Sequence, residues 1–490
     1  MMTQATADPP RSIWHWHEHP RLVAWVSTPT GKVVLWLVAT GLMPRRVALT
    51  VAPLVALVLI WPERRREILS VGSLWVAYRL LDLPLSTGTV GGIVLGMAAI
   101  LGLVYLIYRT ARDFQRLPAM VRRHPLMALH LGFWLAMFLV WTGPVVLAGD
   151  EPSHLWSVVR QFRVILPFLV WRFAYVMLSG QRGSARLSRF TDHLFYCLPV
   201  FGGTKVPYGK GADYLSRRTA ADPEAMARTG LAGLKLLGLA WIWKAARAWL
   251  GAGIHNELHG YGSRLVREIG LGLPRMQELI AGGADGTVMV AWTSLFVELV
   301  DRTLVIAILG HVIIGVLRLF GFNVFRNTYK PLLADSILEF WNRFYYYFKE
   351  LLVEFFFFPT FVSYFKRNPE LRMFTAVMAA AFLGNVYYHV VRDLNHLIYA
   401  GPVGAWTLLA PRVFYSVLLG LGVYFSMRRQ QAKRGTPPPP AEGTGQVLGR
   451  VRRIAGVWLF FALIHIWNIN PARLDFGQRT SFFLSLFGFG

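Results

Sequence analysis

Residues 288–322 read VMVAWTSLFVELVDRTLVIAILGHVIIGVLRLFGF, and only Glu298, Asp301, Arg302 and Arg318 among them are charged. A helix needs roughly 20 apolar residues to cross about 30 Å of hydrocarbon. The stretch reads as two membrane spans, Val288–Val300 and Thr303–Phe322, with Asp301 and Arg302 between them. Outward from it the pattern repeats. Ile68–Ser86 and Thr89–Tyr108 form a hairpin of spans, followed by Leu126–Leu147, Val158–Leu178 and Leu231–Leu250. Leu371–Val391, Val403–Phe425 and Ile454–Trp467 lie beyond the central stretch. Lys32–Trp61 is interrupted by Pro44, Arg45 and Arg46, which leaves one or two spans open there.

Composition supports the same class. Of 490 residues, 54% are hydrophobic and 16% charged, against roughly 25% charged in soluble chains. Disordered chains are poor in apolar residues, and Cys197, the single cysteine, cannot pair within the chain. The net charge of +25 alone would suit nucleic acid, but 18 Trp and 33 Phe in long apolar runs do not. No GxxxxGK[ST] loop, GxGxxG turn or CxxC pair is present. The fold class expected is an all-α polytopic membrane protein with roughly 10–12 spans and re-entrant or in-plane helices.

The basic residues collect between spans. Arg64–Arg66 is one cluster; Arg109, Arg112, Arg116, Arg122 and Arg123 form another. Arg182, Arg186 and Arg189 form a third, and residues 428–453 carry seven more Lys and Arg. The positive-inside rule places all four in the cytoplasm, and with them a multi-pass chain in the cytoplasmic (inner) membrane of the cell. The expected organisation is a polar leader over residues 1–30, N-terminal transmembrane helices over 31–150 and a core over 151–427. A basic linker over 428–453, with Pro437–Pro440, leads to a C-terminal span and tail over 454–490. The first apolar run begins near residue 33 behind a polar leader, so no signal peptide is expected.

Ionisable groups inside apolar runs point to a bundle interior or cavity. His389 lies in Phe382–Val391 beside Asn385, Tyr387 and Tyr388. Glu298 is spaced to pair with Arg302 on one helix face. His130 and His311 read as structural. His15, His17 and His19 alternate with Trp14 and Trp16 as an interfacial anchor. His255 and His259 flank Glu257 in neither HExxH nor HxxEH order, so no metal site is expected. The segment Ser336–Pro359 is too charged for a lipid-facing span and too aromatic for a loop; it reads as a helix lying across or inside the bundle and lining a cavity, with an amphipathic interfacial helix as the alternative. Trp341, Arg343, Glu298 and Tyr388 are the expected lining.

Four stretches resemble the membrane-bound O-acyltransferase family, of the type of the alginate O-acetyltransferase and the teichoic acid D-alanyl transferase. The first contains Gly315, Leu319-Phe320-Gly321-Phe322, Arg326-Asn327, Lys330-Pro331-Leu332, Ser336-Ile337 and Glu339-Phe340-Trp341-Asn342-Arg343-Phe344-Tyr345. The second contains Phe190-Thr191-Asp192, Leu198-Pro199, Gly202-Gly203 and Val206-Pro207-Tyr208. Gly230–Ala248 and Leu383–His389 complete the set, in the family's order. Three departures stand out: Val305–His311 occupies the place of the family's DFSGYSD, Tyr345 that of a motif histidine, and Val390 that of a glycine.

The resemblance implies transfer of an acyl group from a cytosolic thioester, acyl-CoA or another, to a hydroxyl of an envelope glycan, lipid or secreted acceptor. O-acetylation of the cell envelope is one such reaction. His389 takes the family's embedded histidine position, and a neutral imidazole suits proton removal from the attacking hydroxyl. Tyr345, with an ordinary pKa near 10, suits hydrogen bonding to the thioester carbonyl, as does Asn342, one turn earlier on the same expected helix. Lys205 and Lys210 suit the phosphates of coenzyme A. Membrane lipids, the donor, the acceptor and a partner envelope-modification protein are the implied partners. The altered motifs support a second reading, a catalytically degenerate scaffold or a lipid or acyl-group transporter.

Overall fold

The apolar stretches fold as helices whose ends are set by proline and charge. The computed structural model describes residues 13–80, 90–147, 154–198, 210–255, 270–282, 286–433, 444–469 and 474–489. Among them there is no β-strand, and the chain is an all-α polytopic membrane protein. Among the described residues, six helices are long and apolar enough to cross a membrane, seven if a pair bent by 94° counts as one span. The expectation of ten to twelve spans counted stretches that fall short on length or charge. Arg45–Ile60 and Arg65–Leu80 have 16 residues each, and Leu231–Leu250 carries Lys235, Lys244 and Arg247. The two spans expected within residues 288–322 are one helix of 32 residues, Val288–Leu319.

The described residues form two compact units. The first is drawn from Met1–Trp241 and His311–Arg326. It begins with α1 (Pro20–Val26) and α2 (Pro29–Leu42), the bent pair, each opened by a proline where a missing N–H costs nothing. Pro44 then separates α2 from α3 (Arg45–Ile60), so Lys32–Trp61 is two helices. After α4 (Arg65–Leu80), the spans α5 (Val90–Arg112) and α6 (Pro125–Leu147) both pack on α7 (His154–Gln181). Gly180 lets α7 approach α5: a Cβ there would lie 2.5 Å from the Ala111 carbonyl oxygen. Short helices α8 (Phe190–Cys197) and α9 (Gly211–Arg217) lead to α10 (Pro223–His255). The first turns of α10 meet the last turns of α11 (Val288–Leu319) at Gly233 and Gly315, where a Cβ on Gly233 would lie 2.6 Å from the Gly315 oxygen. Small residues allow such close helix crossings in membranes.

The second unit is drawn from Ile242–Gly310 and Asn327–Gly490. Its core gathers Leu295, Leu299, Phe340, Phe461, Trp467 and Phe482, with Phe340 stacked on Phe461 at 3.8 Å between centroids. The aromatic segment 336–359 is not one helix. Ser336 caps α12 (Ile337–Phe344), its Oγ accepting from the Glu339 N–H at 3.2 Å. The chain breaks at Tyr345 (φ −146°, ψ 69°) and resumes as α13 (Tyr346–Leu352). Buried Asn327 holds the break: its carbonyl accepts from the Tyr346 N–H at 2.9 Å and its Oδ1 from the Tyr347 N–H at 3.3 Å. A π-helical turn, Val353–Phe357, follows, then α14 (Phe358–Ser363).

A single span, 369–392, comprises α15 (Pro369–Met378), a second π-helical turn (Ala379–Gly384) and α16 (Asn385–Arg392). The two π turns pack together at Gly384, where a Cβ would lie 2.7 Å from the Phe356 ring. The chain continues into α17 (Leu394–Ala432), which Gly401 (φ 68°) and Pro402 divide. A residue before proline is disfavoured in helical geometry, and glycine alone takes the positive φ without strain. α18 (Thr444–His465) and α19 (Phe476–Ser485) complete the unit.

Candidate functional site

On α16, Asn385, Tyr388, His389 and Arg392 share one helix face by their spacing. Asn385, Tyr388 and His389 are buried. The π turn immediately upstream shifts the phase of this face relative to α15, a device common at functional sites. Neither His389 Nδ1 nor Asn385 Oδ1, one turn apart, has a hydrogen-bond partner among the described residues. Buried polar atoms are nearly always paired, so each such atom calls for a reason. His389 can accept or donate a proton there, and its neighbour can hold a bound hydroxyl.

A carboxylate closes the helix. The Asp393 N–H donates to the His389 carbonyl oxygen at 3.0 Å. Its side chain accepts two bonds from Arg392, Nε to Oδ1 at 2.9 Å and Nη2 to Oδ2 at 2.7 Å, and a third from Arg412 Nη1 on α17. Burial acts to raise the Asp393 carboxyl, but the hydrogen bond and charge of Arg392 and the charge of Arg412 outweigh it and hold the group below the usual carboxylate range. The Arg392 and Arg412 guanidinium groups near the end of α16 are thus engaged by Asp393.

Rings connect Tyr345 to His389. Tyr345 lies 5.5 Å from Phe348, Phe348 lies 4.7 Å from Tyr388, and Tyr388 lies 6.2 Å from His389, all between centroids. Burial pushes the Tyr345 phenol well above its ordinary value, and the neighbouring Tyr388 adds to this, so it remains a hydrogen-bond donor. Tyr345 thus reaches Tyr388 through the Phe348 ring, and Tyr388 neighbours His389 on α16. The structure does not bring in Asn342. The break at Tyr345 takes that residue off the face of α12, and Asn342 is exposed. Trp341 packs on the core of the unit, and Arg343 is held by Glu339 on its own helix. Glu298 faces His465 rather than Arg302, with His465 Nε2 3.7 Å from its Oε1. Lys210 belongs to the first unit, 5.7 Å above the Tyr214 ring, and Lys205 lies outside the described residues.

Of the other histidines, His130 lies 5.1 Å from Trp171 and His311 is buried on α11. His255 Nδ1 is 2.7 Å from the Leu273 carbonyl oxygen, and His259 lies outside the described residues. No group of three His, Cys, Asp or Glu is placed to hold a metal among the described residues.

Sequence reading missed Asp393, Arg412 and His465. The signal for Arg412 was a cation inside the apolar run 403–425; nothing marked Asp393 or His465 as partners of other residues. The chain matches no protein-family model and no curated protein.

Proposed function

We propose that the chain is an O-acyltransferase of the cytoplasmic membrane, moving an acyl group from a cytosolic thioester such as acyl-CoA to a hydroxyl of an envelope glycan, lipid or secreted acceptor. The observation that carries this reading is buried His389, whose Nδ1 has no hydrogen-bond partner among the described residues, one turn from the equally open Asn385 Oδ1 and beside Tyr388. The imidazole takes the proton as the hydroxyl oxygen bonds to the acyl carbon. Negative charge then builds on the former carbonyl oxygen, where the Tyr345 hydroxyl and the arginine charges stabilise it. The C–S bond breaks, and the thiolate takes back the proton from the imidazolium. General-base participation contributes roughly 10²–10⁴ in rate.

The test compares base-labile acyl esters in envelope glycans and lipids, by mass spectrometry, with and without the gene. We expect the esters to disappear on deletion, to return with wild type, and to stay absent with His389→Ala although that protein inserts in the membrane. Full ester levels with His389→Ala would overturn the mechanism. A second reading, a degenerate scaffold or a lipid or acyl-group transporter, is favoured by the apolar stretch 305–310 and by Tyr345 in a histidine's place. It expects no thiol release from acetyl-CoA by purified protein, in contrast to the enzyme.

A further inference from the structure

A cavity of about 670 Å³ opens within the second unit between the start of α12 and the facing ends of α17 and α18. Ser426, Arg429, Gln430 and Lys433 line it from one face of α17, and Gly449, Arg452, Arg453 and Gly456 from one face of α18. Both sets follow the spacing of a single helix face. The helices meet at its floor because Gly422 has no side chain: a Cβ there would lie 2.3 Å from the Phe460 ring. Four cations thus face one carboxylate, Asp335, which pairs with Arg453 at 3.2 Å. Arg429, Lys433 and Arg452 have no hydrogen-bond or ion-pair partner among the described residues.

Where the cavity sits decides what it takes. Arg429 and Lys433 follow the apolar body of the span Leu394–Ala432, and Arg452 and Arg453 precede the apolar run that starts at Ile454. The cations of both helices therefore lie at the boundary between apolar and polar sequence, the level of lipid headgroups. Beside them the cavity presents Phe425, which is 64% exposed, and Val457. A soluble phosphate compound has no use for that apolar wall; an amphiphile does. Guanidinium groups bind phosphate oxygens in pairs, and basic pockets between helices on the cytoplasmic side suit anionic headgroups.

We propose that this cavity binds the phosphate headgroup of an anionic phospholipid, with Arg429, Lys433 and Arg452 on the phosphate and Phe425 and Val457 along the start of an acyl chain. The inference stands apart from the acyl-transfer reading, since no residue named for that chemistry lines the cavity.

The test is native mass spectrometry of full-length protein in a neutral detergent, with phosphatidylglycerol or phosphatidylcholine added. We expect wild type to retain phosphatidylglycerol, in a salt-sensitive manner, and phosphatidylcholine at least tenfold less. The triple variant Arg429→Gln/Lys433→Gln/Arg452→Gln loses that preference. A control removing equal charge elsewhere, Arg64→Gln/Arg122→Gln/Arg123→Gln, keeps it. The single variant Arg452→Gln, which breaks no ion pair, gives a partial loss and serves if the triple variant does not fold. Retention unchanged in the cavity variants, or equal retention of both lipids, would overturn the proposal. So would a thermal shift with inorganic pyrophosphate that the triple variant abolishes while phosphatidylglycerol gives none, since that result marks a soluble-anion site.

Discussion

Asp393 holds two guanidinium groups with one carboxylate, and both are largely buried. Removing the central charge leaves two desolvated cations beside each other, a loss of about 3 kcal/mol by analogy with other broken buried pairs. Asp393→Asn is therefore expected to lower thermal stability in detergent at pH 7 and to lower acyl transfer, while Asp393→Glu restores part of both. The pH dependence has a fixed sign. A carboxylate whose folded pKa is depressed contributes stability that is present above its unfolded pKa, about 3.9, and lost as pH falls through the lower folded value. The gap between wild type and Asp393→Asn thus stays constant from about pH 7 to 5 and closes only below about pH 4. Equal melting at pH 7 would show that the arginines are held by other groups. His389 and Tyr388 were legible in the sequence because polar groups in an apolar run have few places to go. The pairing of Arg412 with Asp393 was not, since it spans 19 positions across the Gly401–Pro402 break.

Helix existence was legible along most of the chain; helix interruptions were legible only where proline or charge marked them. Asp301 and Arg302 looked like a break between two spans, yet Asp301 pairs with Arg247 at 2.7 Å, and α11 runs through. A paired carboxylate costs a helix far less than an unpaired one. The break at Tyr345 has no glycine or proline to announce it, because the cap comes from Asn327, distant in sequence. The π turns are equally silent in sequence, and they carry a prediction. Gly384 has ordinary helical angles, so alanine there gains about 1 kcal/mol of helix propensity. Its Cβ, however, would lie 2.7 Å from the Phe356 ring and 3.1 Å from the Ala379 carbonyl oxygen. Overpacking costs about 1–3 kcal/mol, so the clash outweighs the propensity. Gly384→Ala should melt at lower temperature than wild type, and Phe356→Leu in the same chain should recover part of the loss. A neutral or stabilising Gly384→Ala would mean that the π turns do not pack as described.

For the whole molecule, the excess of positive charge becomes a statement about orientation. Within the first unit, the Arg109–Arg123 cluster and the Arg182–Arg189 cluster are separated by two spans, α6 and α7. A pair of spans returns the chain to the side it left, so these two clusters can share one face, and the positive-inside rule predicts that face to be cytoplasmic. The same rule predicts the Arg64–Arg66 cluster and the cluster at the end of α17 to be cytoplasmic. Chemistry makes the arrangement testable, because the single cysteine hardly interferes. Cys197 is 1% exposed, and burial pushes its thiol up to about 12, so little reactive thiolate is available. In a Cys197→Ala background, single cysteines at the exposed positions Arg64, Arg122, Arg182 and Arg429 are expected to resist a membrane-impermeant maleimide in intact cells. All four should label after the membrane is opened. Labelling of Arg429→Cys alone from outside would detach the C-terminal cluster from the others, and would place the proposed headgroup site in the outer leaflet. Labelling of Arg122→Cys from outside would instead invert the spans of the first unit.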